Sequence, residues 1–278
     1  MPLISARALS LRIATVHLLD ARPAPGDYLA GHLPGAIHAD LNRHLSTASD
    51  PGHDPAKGGR HPLPPLERFT AQLGAWGIGP GAEVVVYDAS GGGNAAARLW
   101  WMLRALGHER VAVLDGGLAA ALEAGLALST EPALASPVEP YPARAWQWPT
   151  VDSEGVDSIR QDTSRKLLDV RAPERWRGDT ETLDPVAGHI PGSLNLAWND
   201  NLDASGRFKA PDQLRRQYEA LLQGTSPRQL TVHCGSGVTA CHTLLALEVA
   251  GLSGASLYVG SWSEWCRSDR PKAKEPAP

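Results

Sequence analysis

Short apolar runs alternate with longer amphipathic patterns along this chain. The runs VVVY (84–87) and LTVH (230–233) are rich in β-branched residues and predict buried strands. The stretches ARLWWMLRALG (97–107) and CHTLLALEVAGL (241–252) space their apolar residues as a helix does, and a glycine halts each pattern. Strands that alternate with helices predict an α/β fold with a mostly parallel sheet and helices on both of its faces.

The same pattern occurs twice, in the same order, at a nearly constant offset. The matching segments are VHLLDARP (16–23) with KLLDVRAP (166–173), LAGHLPGAIHADLN (29–42) with VAGHIPGSLNLAWN (186–199), and VVVYDASGGG (84–93) with LTVHCGSG (230–237). Such ordered self-similarity predicts a duplicated domain. Between the copies, residues 131–150 are rich in proline and have no regular period, which is typical of an extended linker. We therefore predict domains over residues 1–130 and 151–278, joined by a linker over 131–150.

Composition and charge narrow the class of protein. The 278 residues are 42% hydrophobic, and the formal net charge is only −4, with no basic stripe that would predict nucleic-acid binding. No apolar run reaches the roughly 20 residues that span a bilayer, and the first residues do not resemble a signal peptide, so we expect no membrane partner. The three cysteines do not form a disulfide framework, and they predict a reducing, cytoplasmic location.

One of these cysteines stands directly after a predicted strand. Cys234 follows LTVH and precedes a loop of small residues and the start of a helix. In a parallel sheet this is the carboxyl edge, where ligands bind. Consecutive loop amides can form a concave nest that, with the positive end of the helix, stabilises a negative sulfur. The amides that can line this nest belong to Gly235, Ser236, Gly237, Val238 and Thr239. We predict a reactive thiol at Cys234, against the plainer interpretation of an inert core cysteine.

The motifs taken together resemble the tandem-domain sulfurtransferases of the rhodanese type. The matching segments are LLDAR and LLDVR, GHLPGA and GHIPGS, GGRHPLP (58–64), WWMLRALGH (100–108), CGSGVTAC (234–241) and GSWSEW (260–265). The resemblance covers nearly all of residues 3–267 and implies two rhodanese-like domains, the first non-catalytic and the second catalytic. We expect no cofactor. The duplication supports this independently, because Asp88 stands at the position of Cys234 in the first copy and cannot carry a transferable sulfur.

The resemblance also implies the reaction and its small-molecule substrates. Cys234 would take a sulfane sulfur from a donor, form a persulfide and pass the outer sulfur to cyanide or to a thiol, either a small thiol or a thioredoxin-like protein. The thiosulfate branch of the family typically has arginine and lysine where this chain has Gly235 and Ser236. The 3-mercaptopyruvate branch typically has Cys-Gly-Ser-Gly-Val-Thr, as here. The loop therefore favours 3-mercaptopyruvate, and thiosulfate stays the alternative donor.

In the 3-mercaptopyruvate branch, a serine and its histidine partner help to polarise or protonate the leaving enolate of pyruvate. The resemblance assigns these roles to Ser236 and His61, and it places the aspartate that backs the histidine at Asn42, which has no charge. It assigns binding of the donor's carboxylate to Arg175. The second arginine of that pair falls on Asp184, so one guanidinium would do the work of two unless Arg177 substitutes.

Two other function classes share this pattern less well. A cysteine phosphatase of the same fold needs an arginine six positions after the cysteine, where this chain has Ala240. A non-catalytic binding module would not require a cysteine at position 234. The histidines of the first half show no compact spacing with a cysteine, so we predict no metal site.

Overall fold

The computed structural model describes residues 2–93 and 95–275. Its contacts divide the chain into two compact units of similar size. Unit 1 comprises Met1–Thr47, Leu63–Trp148 and Leu202–Phe208, and unit 2 comprises Ala48–Pro62, Pro149–Asn201 and Lys209–Pro278. The segment that carries His61 therefore groups with the second unit.

Unit 1 is built on a parallel sheet of five strands in the order β1-β5-β4-β2-β3. The strands are β1 (Leu3–Ile4), β2 (His17–Asp20), β3 (Ile37–His38), β4 (Val84–Tyr87) and β5 (Val111–Leu114). The helices are α1 (Ala6–Ser10), α2 (Pro25–Ala30), α3 (Leu66–Ala75), α4 (Ala96–Ala105) and α5 (Gly117–Glu123).

Unit 2 has the same architecture, with the strand order β6-β10-β9-β7-β8 and parallel pairing throughout. The strands are β6 (Thr150–Val151), β7 (Lys166–Asp169), β8 (Leu194–Asn195), β9 (Leu230–His233) and β10 (Ser256–Tyr258). The helices are α6 (Ser153–Ile159), α7 (Pro173–Arg177), α8 (Pro211–Leu222), α9 (Ala240–Val249) and α10 (Ser261–Trp265).

The register of the two sheets confirms the predicted duplication. The last residue of β2 pairs with the last residue of β4, and the last residue of β7 pairs in the same way with the last residue of β9. The next residues along the chain, Asp88 and Cys234, therefore occupy equivalent positions. Both follow the central strand of their sheet, at its carboxyl edge.

Both faces of the second sheet are covered, as the sequence predicted. All four residues of β9 are buried, and consecutive side chains of a strand point to opposite faces. Helix α9 packs on β9 and β10, and α6 packs on β6 and β7. One core cluster joins α6, β7 and β10 to α10 and includes Val156, Ile159, Leu167, Tyr258, Trp262 and Trp265.

Every helix in the described part of the chain is too short or too polar to traverse a lipid bilayer.

Candidate active site

Cys234 lies at the centre of the carboxyl edge of the second sheet, and the start of α10 holds its main chain. The residue is 2% exposed. Its amide N–H donates to Ser261 Oγ at 3.1 Å, and its carbonyl accepts from the amide N–H of Trp262 at 3.0 Å. Ser261 is a non-glycine residue with a positive φ of 53°. Strained backbone of this kind is typical of functional sites, and here it places the hydroxyl of Ser261 within hydrogen-bond distance of the Cys234 amide.

The loop after Cys234 carries amide N–H groups that lack a protein acceptor. Within residues 2–93 and 95–275, the amides of Gly235, Ser236, Val238 and Thr239 donate to no backbone or side-chain oxygen. The loop is nevertheless buried, except for the partly exposed Thr239, which is the N-cap of α9. Buried N–H groups are nearly always paired, so this row of donors is suited to an anion.

The equivalent loop of unit 1 contains its own anion. One carboxylate oxygen of Asp88 accepts from the amides of Ser90 at 2.8 Å and Gly92 at 2.9 Å, and the other accepts from the amide of Ala96 at 3.2 Å. The side chain of Asp88 thus occupies the donors of its loop. The two loops have the same topology, and among the described residues the amides of the second loop that are named above have no protein acceptor.

A glycine is required where the cysteine loop turns back toward β10. Gly237 has a φ of +74°, which favours glycine. A Cβ atom at this position would lie only 2.3 Å from the carbonyl oxygen of Val259, a distance that no side chain tolerates. The neighbouring Val238 is 6% exposed and anchors the loop in the core.

The structure brings His61 and Ser236 together. His61 Nδ1 lies 2.9 Å from Ser236 Oγ, although 175 positions separate the two residues in the sequence. Either atom can donate in this contact, depending on the tautomer of the imidazole. The amide N–H of Asn42 donates to Asp40 Oδ1 at 2.8 Å, and a role for Asn42 in a relay through His61 stays a prediction.

Helix α10 also positions the segment that carries His61. The amide of Gly58 donates to Glu264 Oε1 at 2.9 Å, and the amide of Arg60 donates to Ser263 Oγ at 3.0 Å. Gly59 lies so close to α10 that a Cβ atom there would be 2.3 Å from the carbonyl oxygen of Gly260. In the sequence, GSWSEW is only a family motif, and no local pattern indicates these contacts.

Two guanidinium groups border the cysteine loop. A Cβ atom on Gly235 would lie 3.2 Å from Arg60 Nη2 and 3.6 Å from Arg175 Nη1. The sequence predicted Arg175 as a substrate-binding residue and missed Arg60. The only signal for Arg60 in the sequence is its position directly before His61. Arg177, the possible substitute, instead forms an ion pair with Asp179 at 2.8 Å.

Buried carboxylates hold these cations in place. Arg175 Nη2 lies 2.8 Å from Glu181 Oε1, and Asp184, whose side chain is fully buried, pairs with Arg60 and with Arg267. Such paired charges are rigid because breaking one pair would leave an uncompensated charge away from water. The acid at position 184, which the sequence presented as a departure from the family, is therefore part of the cluster that fixes the cations.

A second buried pair lies at the end of β7. Arg171 makes a bidentate contact with Asp169, with Nη2 2.7 Å from Oδ2, and its guanidinium carbon lies 4.9 Å from the ring centre of Trp262. Burial by itself would lower the pKa of Arg171, but the charges of Asp169, Glu181 and Cys234 outweigh it and leave that pKa raised. Arg171 thus stays cationic beside the site.

Burial of His233, the last residue of β9, predicts a loss of stability in acid. Burial lowers the pKa of this fully buried imidazole below its ordinary value of 6.5, and the nearby carboxylate of Asp169 only partly offsets the effect. Below pH 6.5 the unfolded chain binds a proton that the folded chain excludes, so the free energy of unfolding falls as the pH falls. The slope is at most about 1.4 kcal/mol per pH unit for such a group.

We expect His233→Gln to show a shallower decline of Tm between pH 7 and pH 5 than the wild type. Measurements at pH 8, where the imidazole is neutral in both states, separate any packing defect from the proton effect. Equal slopes for the two proteins in acid would contradict the prediction.

No cluster of metal-binding side chains is found in the part of the chain that the structure describes.

Comparisons with known proteins agree on one family. A model of the rhodanese-like domain matches residues 5–124 and 153–268. A probable 3-mercaptopyruvate sulfurtransferase of Pseudomonas aeruginosa is 42% identical over 96% of each chain. A putative thiosulfate sulfurtransferase of Mycobacterium tuberculosis is 38% identical over 89% of this chain and 84% of the other. The solved 3-mercaptopyruvate sulfurtransferase from Leishmania major superposes with a TM-score of 0.82 at 28% identity, over 95% of this chain and 73% of that one.

Proposed function

This chain belongs to the rhodanese family, and from that premise we propose that it moves a sulfane sulfur from 3-mercaptopyruvate through a persulfide on Cys234. The chain is a sulfurtransferase, and its substrates are small-molecule sulfur donors and acceptors. One observation carries the more specific proposal: Cys234 stands at the head of a buried loop in which four amides have no acceptor among the described residues, beside the contact between Ser236 and His61.

In the first step, the Cys234 thiolate attacks the sulfur of the donor. A sulfur–sulfur bond forms, the carbon–sulfur bond breaks, and its electron pair passes to the leaving enolate of pyruvate. In this proposal, the loop amides of Gly235, Gly237, Val238 and Thr239 stabilise the anionic sulfur before and after transfer. Arg175 binds the carboxylate of the donor, because its planar guanidinium matches the two carboxylate oxygens and Glu181 holds it in place.

Protonation of the enolate falls to Ser236 and His61. The hydroxyl of Ser236 gives its proton to the enolate and takes one from the protonated imidazole of His61, because the two lie 2.9 Å apart, and the neutral imidazole then regains a proton from solvent. Pyruvate then leaves, and the persulfide remains on Cys234.

In the second step, a thiolate or cyanide attacks the outer sulfur of the persulfide. A new bond to that sulfur forms, the sulfur–sulfur bond to the enzyme breaks, and its electron pair returns to Cys234. A small thiol or a thioredoxin-like protein is the proposed thiol acceptor. A reducing, cytoplasmic setting suits the three cysteines, all of which are free thiols.

The first domain, proposed over residues 1–130, is non-catalytic in this scheme. The carboxylate of Asp88 already occupies the donors that would hold a sulfur anion. The linker over 131–150 and the catalytic domain over 151–278 complete the proposed division of the chain.

Thiosulfate is the second candidate donor. The guanidinium groups of Arg60 and Arg175 beside the loop could accommodate a dianion, and the Mycobacterium tuberculosis relative is named for this substrate. The loop itself, however, has Gly235 and Ser236 and no cation of its own. We therefore assign 3-mercaptopyruvate as the preferred donor.

We expect Ser236→Ala to separate the two donors. Loss of the proton relay should lower kcat with 3-mercaptopyruvate by about 100-fold, the usual contribution of general acid catalysis. Turnover with thiosulfate should change by less than about threefold, because sulfite leaves without protonation at carbon. Steady-state kinetics with both donors and one thiol acceptor measure this difference.

The matched control is Ser164→Ala, which removes an exposed serine hydroxyl far from the cysteine loop in the sequence. Its kinetics should equal those of the wild type with both donors. Equal losses for the two donors in Ser236→Ala would argue against the relay.

A further inference from the structure

The guanidinium of Arg60 lies beside the cysteine loop. Arg60 belongs to the segment that also carries His61. Its Nη2 is the atom nearest to the empty side-chain position of Gly235, at 3.2 Å, and Arg175 Nη1 lies 3.6 Å from the same point. Both guanidinium groups therefore border the space above one glycine, immediately after Cys234. An anionic group placed there would meet two cations at once.

The orientation of Arg60 is fixed at both ends. Its amide N–H donates to Ser263 Oγ at 3.0 Å, and its Nη1 donates to the fully buried carboxylate of Asp184. Nη2 has no acceptor among residues 2–93 and 95–275, and it is the nitrogen that faces the loop. One nitrogen thus anchors the side chain while the other remains available for a ligand.

The local charge balance favours an anion. Asp184 interacts with Arg60 and Arg267 and lies 3.8 Å from Arg175, while Arg175 also pairs with Glu181. Arg171 contacts Glu181 as well as Asp169, so four guanidinium groups share three carboxylates in this cluster. The partly exposed Arg60 and Arg175, each with 21% of its side chain accessible, are where this excess positive charge can meet a ligand.

We propose that Arg60, positioned by Asp184, binds the carboxylate of the α-keto acid donor together with Arg175. The inference rests on the proposed function, since it assigns the carboxylate of that same donor to a second guanidinium. It makes Arg60 a specificity residue: donors with a carboxylate gain from it, whereas uncharged sulfane donors do not. The reacting sulfur contacts other groups, so the effect falls on binding and not on the transfer step.

The test compares Arg60→Met with Arg177→Met. The first variant should raise KM for 3-mercaptopyruvate about 30-fold and change kcat by less than about threefold, because one charged hydrogen bond is lost. The control removes the same charge from Arg177, which pairs with Asp179, and should leave KM within about twofold of the wild type. Arg60→Lys, which keeps the charge without the guanidinium fork, should fall between the wild type and Arg60→Met.

Two further measurements exclude a merely structural role. Loading of Cys234 by elemental sulfur, which has no charge, should be equally fast in the wild type and in Arg60→Met. The Kd of pyruvate, measured by calorimetry, should rise about 30-fold in Arg60→Met and stay unchanged in Arg177→Met. Slower loading from elemental sulfur, or an unchanged Kd for pyruvate, would overturn the inference.

These outcomes separate the two proposals. If the wild-type enzyme forms no persulfide with 3-mercaptopyruvate, the proposed donor is wrong. The dependence of the Kd of pyruvate on Arg60 still decides whether this guanidinium binds a keto acid.

Discussion

We expect Cys234→Ser to abolish sulfur transfer from both 3-mercaptopyruvate and thiosulfate. A hydroxyl oxygen cannot accept a sulfur atom and return it, so turnover should fall more than about 1000-fold, as is usual when a catalytic nucleophile is removed. Fold stability should change little, since serine is smaller than cysteine and the main-chain contacts to Ser261 and Trp262 remain. Steady-state kinetics with each donor, together with thermal melting, measure both effects.

Mass spectrometry locates the carried sulfur directly. After incubation with donor, the wild-type peptide that contains Cys234 should gain one sulfur atom, and Cys234→Ser should gain none. The control is Cys266→Ala, which removes a buried thiol whose pKa is raised by burial, and it should retain full turnover. Full activity in Cys234→Ser, or an added sulfur on another cysteine, would refute the assignment.

The second large effect is expected from Gly237→Ala. The new Cβ atom would lie 2.3 Å from the carbonyl oxygen of Val259, so the loop or β10 must shift. In addition, the φ of +74° disfavours alanine. We expect the free energy of unfolding to fall by about 3 kcal/mol or more, since strain and overpacking act at one buried site. Activity should fall as well, because the shift displaces the amides that follow Cys234.

Gly224→Ala is the matched control for this substitution. Gly224 has a φ of +84°, but no atom lies within 4 Å of the position that its Cβ would occupy. It isolates the cost of left-handed backbone, about 1–2 kcal/mol, from the cost of the clash. Urea denaturation of both variants gives the comparison, and equal losses of stability would show that the close approach to Val259 is unimportant.

The two loops of this duplicated protein show how one backbone arrangement can have two outcomes. In unit 1 the carboxylate of Asp88 accepts the hydrogen bonds of its own loop. In unit 2 a cysteine replaces that carboxylate, and several loop amides have no acceptor among the described residues. The residue that follows the central strand therefore distinguishes the two loops. In unit 1 its carboxylate accepts hydrogen bonds from the loop amides, and in unit 2 the loop is suited to a transferable anion.

The proposed placing of Arg60 changes the meaning of Asp184. From the sequence, an acid at position 184 predicts weaker binding of a carboxylate donor, because the family has an arginine there. In the structure, Asp184 instead anchors Arg60 beside the loop, so the acid and the arginine act as a pair. A substitution that looks unfavourable alone can be neutral when a distant residue supplies the opposite charge.

The amino-acid sequence was enough to predict the α/β class, the duplication, the central strands and the cysteine at the carboxyl edge. These features depend on local periodicity and on the repetition of segments, which are visible without coordinates. The contact between His61 and Ser236 was accessible only through resemblance to a family, because no local pattern joins residues 175 positions apart. Three features became visible only in the folded chain. Residues 48–62 group with unit 2, and α10 contacts the main chains of both Cys234 and Arg60. The guanidinium of Arg60 faces Gly235. The physical reason is that the position of a charged side chain depends on its ion-pair partner, and Asp184 reaches Arg60 only when the chain is folded.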